Sequence, residues 1–151
     1  MQLVIFIGLQ ASGKSTFFRT YFAATHDLVS KDLFRNNKNP ARRQTQLIED
    51  ALKAGRSVVV DNTNPTVEDR ASLIQQGLMY DAEIIGYYFK SQVKHCLERN
   101  KQRSGKALVP DVAIYTTLKR LIKPDYAEGF YQLFYVQITE NFEFKVRPWV
   151  K

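Results

Sequence analysis

One cysteine, Cys96, occurs in 151 residues, so no disulfide can form within the chain. That usage fits a reducing compartment, and a cytoplasmic protein is the expectation. Histidine is equally sparse: His26 and His95 have no triad or ligand partners nearby, and no Cys/His cluster has metal-ligand spacing. Long apolar runs are missing too. The N-terminal run from Met1 to Ile7 stops at Gly8, without the basic flank of a signal peptide or the length of a membrane span, so it reads as a buried strand and no membrane association is expected. The seven glycines and five prolines are scattered, and there is no repeat, linker or low-complexity tract. A single domain over residues 1–151 is expected.

What the chain does have is basic charge: 22 Lys and Arg against 15 Asp and Glu, for a net +7. Clustered cations attract polyanions through counterion release and steering, although a solvated basic surface would carry the same balance. Apolar runs of strand length (3–7, 28–30, 57–61, 83–89, 133–138 and an extra edge at 143–146) alternate with helical stretches at 14–24, 41–54, 67–76, 92–101 and 111–121. This alternation predicts an α/β fold in which helices flank a parallel sheet. Ten Phe and eight Tyr, as in Phe17-Phe18 and Tyr87-Tyr88-Phe89, are the normal content of a small core and are assigned no base-stacking role.

Gly8-Leu9-Gln10-Ala11-Ser12-Gly13-Lys14-Ser15 fits the phosphate-loop pattern G-x-x-x-x-G-K-S/T, directly after a strand and at the start of a helix. Gly8 and Gly13 permit backbone turns that aim consecutive N–H groups at phosphate oxygens. Lys14 supplies a point charge to the β- and γ-phosphates, and the Ser15 hydroxyl is the expected Mg²⁺ ligand. Residues Gly8 to Thr16 are therefore the expected ATP contacts.

Two carboxylates follow strands that should end at the same sheet edge, where ligands gather in open α/β sheets. After the second strand, Asp32 and Arg35 lie about one helical turn apart; Asp32 would accept a hydroxyl proton while Arg35 grips a phosphate. A helix N-cap at Ser30 or Asp32, with a surface arginine, would use the same residues. Asp61 ends the apolar run Val58-Val59-Val60 and would orient Arg35, bind the acceptor or hold a water on Mg²⁺; end-of-strand capping ahead of Pro65 is the other reading. Between residues 94 and 108, Lys94, Arg99, Lys101, Arg103 and Lys106 face only Glu98 in charge. Such a cluster suits charge that develops on a transferring phosphoryl group, where one placed arginine contributes roughly 10³-fold or more, and it also suits an exposed basic helix face.

Together these motifs resemble the kinase domain of polynucleotide 5′-hydroxyl kinases, within the small P-loop kinases of adenylate-kinase-like fold. The resemblance spans nearly the whole chain. It rests on the phosphate loop, the Asp32-x-x-Arg35 pair, the run Val60-Asp61-Asn62-Thr63-Asn64-Pro65, and Cys96 to Arg103, which is similar to the mobile lid of that group. Val109-Pro110-Asp111 through Tyr115, Pro124 and Ala127-Glu128-Gly129-Phe130 are similar to the C-terminal part of the eukaryotic DNA-repair kinase domain. The resemblance implies Asp32 as general base, Arg35, Asp61, Asn62 and Asn64 on the acceptor side, and Arg99 and Arg103 as lid residues on the nucleotide. The chain departs from the pattern in having Gln10 where proline is common, and no phosphatase or phosphopeptide-binding domain is expected within these residues.

The expected activity is transfer of the ATP γ-phosphate, with Mg²⁺, to the 5′-hydroxyl of a DNA or RNA end, with Lys14, Asp32, Arg35 and Arg103 catalytic. A nucleoside, sugar or other small hydroxyl as acceptor is the alternative, and a non-catalytic ATP-binding switch is a third.

Overall fold

The computed structural model describes residues 1–90, 92–139, 141 and 143–150, without the side chain of Lys106; the contribution of that residue to the lid lies outside the described residues. Strand β1 (Gln2–Ile7) is buried from Leu3 onward and runs through the middle of the sheet. It pairs in parallel with β3 (Val58–Asp61) on one side and β4 (Glu83–Phe89) on the other. β2 (Asp27–Val29) and β5 (Gln132–Ile138) extend the parallel sheet outward. β6 (Phe144–Pro148) closes the far edge antiparallel to β5, giving the order β2-β3-β1-β4-β5-β6. Strands covered on both faces need no polar side, which is why β1, β3 and β4 read as continuous apolar runs.

Alternation along β1 feeds two cores. Leu3, Ile5 and Ile7 pack with Ile48 and Leu52 of α2 (Pro40–Lys53) and with Leu73 and Ile74 of α3 (Val67–Met79). Val4 and Phe6 face Phe17 and Phe18 of α1 (Lys14–Tyr21), together with Phe22 and Phe89. Most of the aromatics are core, as the composition suggested, with Tyr21, Tyr115 and Tyr131 exposed; Phe6 alone makes edge contacts with Phe17, Phe22, Tyr87 and Phe89 at 5.1–6.0 Å between ring centres. The helices α4 (Val93–Lys101) and α5 (Asp111–Arg120) pack beside the phosphate loop, around Cys96 and Ile114, both fully buried.

The element pattern agrees with the sequence, and the differences have local causes. α1 stops at Tyr21 instead of reaching residue 24, because Phe22 turns into the Phe6–Phe17 cluster and His26 N–H closes a turn on the Phe22 carbonyl. α3 runs on to Met79, past Gly77. That glycine is not a stop: a Cβ there would collide with Ile84 and Leu3, so its absence lets the helix lie close on the sheet. β6 begins one residue later than expected, where Phe144 registers with Ile138. Three single turns of 3-10 helix, at Lys31–Phe34, Gly105–Ala107 and Tyr126–Glu128, are too short to show a periodic signal.

One fully buried arginine fixes the chain next to the sheet edge. Arg70 of α3 makes a two-pronged ion pair with Glu128, Nε to Oε1 at 2.8 Å and Nη2 to Oε2 at 3.1 Å. Its Nη1 donates to the carbonyls of Asn64 and Ile122, both at 3.0 Å. Glu128 also accepts from the Asp125 N–H in a capping box. The loop after β3 and the segment after α5 are thus clamped to the same guanidinium. Among the described residues no helix is long and apolar enough to cross a membrane.

Candidate active site

The phosphate loop grows out of β1 with little room around it. A Cβ at Gly8 would lie 3.0 Å from the Phe89 Cβ and 3.1 Å from its carbonyl oxygen, so any other residue there would push the loop away from the end of β4 by a few tenths of an ångström. Gly8 N–H donates to the Thr63 carbonyl, which ties the loop to the end of β3. Ala11 takes φ +60°, a strained conformation for a residue with a Cβ, and Gly13 at φ +96° precedes α1. No side chain caps α1, which reserves its first N–H groups and positive dipole end for an anion.

Lys14 curls over this loop, its ammonium donating to the carbonyls of Leu9 (2.6 Å) and Gly8 (3.1 Å) and to the Ser12 hydroxyl (3.4 Å). The side chain is buried, and burial lowers its pKa to about 8, against the raising influence of Asp61. Desolvation acts on Asp61 in the opposite sense, raising its pKa while Lys14 and Ser15 hold it down. The register Phe6↔Asp61 sets that carboxylate beside the loop, where its Oδ2 accepts from the Ser15 hydroxyl at 2.8 Å. A hydroxyl and a carboxylate oxygen next to a phosphate loop are hard donors that fit Mg²⁺, which also takes waters and substrate phosphates and needs no all-protein cage. No group of three His, Cys, Asp or Glu able to hold a metal occurs among the described residues. Of the roles expected for Asp61, orienting Arg35 is not the one the structure shows, because Asp61 bonds Ser15 and Arg35 is engaged by Asp32.

Asp32 lies in the 3-10 turn after β2, and Arg35 directly follows that turn. Ser30 is the N-cap, accepting from the Asp32 N–H at 3.3 Å, so the Asp32 carboxylate is not used as the cap. Arg35 holds Asp32 Oδ1 through Nε at 3.2 Å and Nη2 at 3.0 Å. The pair is accessible, with 74% of the Asp32 side chain and 36% of the Arg35 side chain exposed. Asn62 braces the turn: its Oδ1 accepts from the Lys31 N–H at 3.0 Å, and its Nδ2 donates to Gln44 of α2 at 2.6 Å. Asn64, expected to meet the acceptor, is buried at φ +45° and spends its amide on the Phe6 carbonyl at 2.8 Å. It shapes the floor of the site.

The two arginines expected in a lid occupy different places. Arg99 donates from Nε to the Ala11 carbonyl at 2.6 Å, bracing the phosphate loop, and is not among the residues lining the cleft. Arg103 does line it, with Nη1 on the Ala107 carbonyl at 3.2 Å. Asn100 ties the end of α4 to residue 109 through a reciprocal pair of bonds to the Val109 backbone. Gln10, the departure from proline, anchors the loop to α5 by donating to Thr117 Oγ1 at 2.9 Å.

Lys14, Ser15, Thr16, Asp32, Arg35, Asp61, Asn62, Asn64 and Arg103 share one open cleft of about 980 Å³. The charges of Asp32 and Arg103 reach both Lys14 and Asp61. Arg19, Lys31, Gln44, Glu68, Asp69 and Arg120 also line the cleft. Sequence reasoning missed these six, since each is an ordinary polar residue on a helix or turn and only the packing of α1, α2, α3 and α5 brings them in.

A family model described as an AAA domain matches residues 3–124. The chain is 28% identical over 135 residues to the "Bifunctional polynucleotide phosphatase/kinase" of Schizosaccharomyces pombe, covering 85% of this chain and 32% of that protein. It thus spans about a third of that relative's length. The crystal structure of a fungal RNA kinase has the same fold, with TM-score 0.69 and 16% identity over 89% of this chain and 38% of the other. So does that of a gluconokinase from Sinorhizobium meliloti 1021, with TM-score 0.64 and 17% identity over 92% of this chain and 83% of the other. Sheet order, phosphate loop and family match agree: the chain belongs to the AAA-domain family AAA_33, with its P-loop on a mostly parallel sheet.

Proposed function

We propose that the domain transfers the γ-phosphate of ATP to the 5′-hydroxyl of a nucleic acid end. The observation that carries this reading is the Asp32–Arg35 pair, set in the same cleft as Lys14 and electrostatically coupled to it. A nucleotide-binding switch has no use for an accessible carboxylate there. Asp32 accepts the proton of the acceptor hydroxyl as its oxygen bonds to Pγ and the bond from Pγ to the ADP oxygen breaks. Arg35 orients that carboxylate and grips the acceptor side, and Arg103 meets the charge on the transferring group. Mg²⁺, held through Ser15 with Asp61 behind it, supplies charge neutralisation at the β- and γ-phosphates when bound. Lys14 leaves the loop carbonyls for the phosphates, and the uncapped start of α1 receives them.

Three observations support a nucleic acid acceptor: the net charge of +7, an open cleft lined by six Lys and Arg, and the likeness to a protein named for polynucleotide phosphatase and kinase activity. The test is an acceptor screen with γ-labelled ATP, comparing 5′-hydroxyl oligonucleotides with nucleosides and sugars. Label should appear at the oligonucleotide 5′ end, with acceptor binding that weakens steeply with salt. Transfer to a sugar or nucleoside and not to an oligonucleotide would replace this acceptor with a small molecule. ADP formation that no acceptor stimulates would favour the switch.

A further inference from the structure

The cleft does not end at the catalytic residues. Between α2 and α3 it continues into a groove of about 390 Å³, and Gln44, Thr45 and Ser72 line both cavities. That volume lies within the roughly 300–1,000 Å³ of small-molecule sites. The groove has one structural cross-link at each end: Gln76 Nε2 donates to the Thr45 carbonyl at 2.7 Å, and the Tyr80 hydroxyl donates to Glu49 at 2.9 Å.

Its chemistry differs from that of the cleft. Leu73, Met79 and Tyr80 give it apolar walls, and Met79 is 74% exposed at the rim. Gln44, Gln75 and Gln76 supply amides. Gln44 and Gln76 are oriented by their bonds to Asn62 and Thr45, which leaves a donor end on Gln44 and an acceptor end on Gln76. No lysine or arginine lines the groove, and its one charged group, Glu49, is already engaged by Tyr80 and Lys53. The cation at its edge, Lys53, is already paired with Glu49, so a phosphate would find no free cation there, and a free sugar would waste the apolar walls. A flat, neutral heteroaromatic ring with donors and acceptors on its edge fits both features.

We infer that this α2–α3 groove is a nucleobase subsite, holding the base of the acceptor's 5′-terminal nucleotide while its hydroxyl lies at Asp32. The inference rests on the proposed nucleic acid acceptor. Asn62 joins the two regions, since it bonds both the Lys31 N–H next to Asp32 and the Gln44 amide at the mouth of the groove. Base occupancy would therefore also steady the catalytic turn.

The test compares two 5′-hydroxyl oligonucleotides that differ only in whether the terminal nucleotide carries a base or is abasic. Removing the base should lower kcat/KM roughly tenfold, the scale of one lost stacking contact. Gln75→Trp, on the exposed rim, should plug the groove. It should cost the base-bearing acceptor a similar factor, leave the abasic acceptor and the KM for ATP unchanged, and so abolish the discrimination. Met79→Ala, which removes only one wall, should act in the same direction and serves if the tryptophan variant does not fold. Equal kcat/KM for the two oligonucleotides in the wild type, or full discrimination retained in both folded variants, would overturn the subsite while leaving the kinase reading intact. Transfer to neither oligonucleotide, with activity on a small hydroxyl, would overturn both.

Discussion

Lys14→Met isolates the cost of keeping a cation over the phosphate loop. Methionine fills a similar volume without the charge, and the buried ammonium it removes has its pKa lowered from 10.5 to about 8, first by desolvation. At roughly 1.4 kcal/mol per unit, burying the charged form costs the folded state about 3 kcal/mol. Losing the donations to the Leu9 and Gly8 carbonyls takes back about 1 kcal/mol of the gain. The variant should thus be more stable than the wild type near neutral pH, by about 1–3 kcal/mol. The sign also fixes a pH signature. Below pH 8 both folded and unfolded chains hold the proton and the wild type bears the full cost. Between pH 8 and 10.5 the unfolded chain holds more protons, so the wild type gains stability on the variant as pH rises. Urea unfolding of both proteins across this window measures the difference, and common titrations cancel in it. A constant difference from pH 8 to 10.5, or a variant less stable at neutral pH, would refute the reasoning. The same variant should have lost nearly all phosphoryl transfer.

Phosphates binding at Lys14 should restore its proton, so ATP binding should take up protons and weaken as pH rises through about 8; calorimetry in buffers of different ionisation enthalpy reads the uptake. Asp32→Asn should lower transfer by roughly 10²-fold while melting temperature and ATP affinity stay near wild type, because Ser30 keeps the cap and the lost ion pair is exposed. An unchanged rate would reject Asp32 as base. Glu128→Ala should destabilise by about 3 kcal/mol or more, as it strands Arg70 without its carboxylate; a change under about 1 kcal/mol in chemical denaturation would mean the guanidinium finds water instead.

Local grammar made most of the architecture legible. β4 matches its expected span of 83–89, and the phosphate loop sits between strand and helix, because apolar continuity and a glycine–lysine spacing are properties of contiguous residues. Misread boundaries came from tertiary contacts. The helix expected to end at residue 76 runs on because Gly77 is a helix-to-sheet contact in space; Phe22 looks helical and is recruited by the aromatic core.

The candidate site divides along the same line. Asp32 with Arg35 and Ser15 with Lys14 were readable as neighbours at one-turn or one-residue spacing. The bonds that give them their setting were not: Ser15 to Asp61 spans 46 positions, Asn62 to Gln44 spans 18, and Arg70 to Glu128 spans 58. Arg99 and Arg103 illustrate why composition alone could not assign them. Both are basic residues four apart in the same lid, yet one braces the loop carbonyl at Ala11 and the other enters the cleft, because α4 ends at Lys101 and the two no longer share a helical face. Their charge is the same, so what separates a brace from a residue that lines the cleft is where the helix stops. A change that extended α4 through Arg103 would carry that guanidinium away from the cleft without altering a single charge.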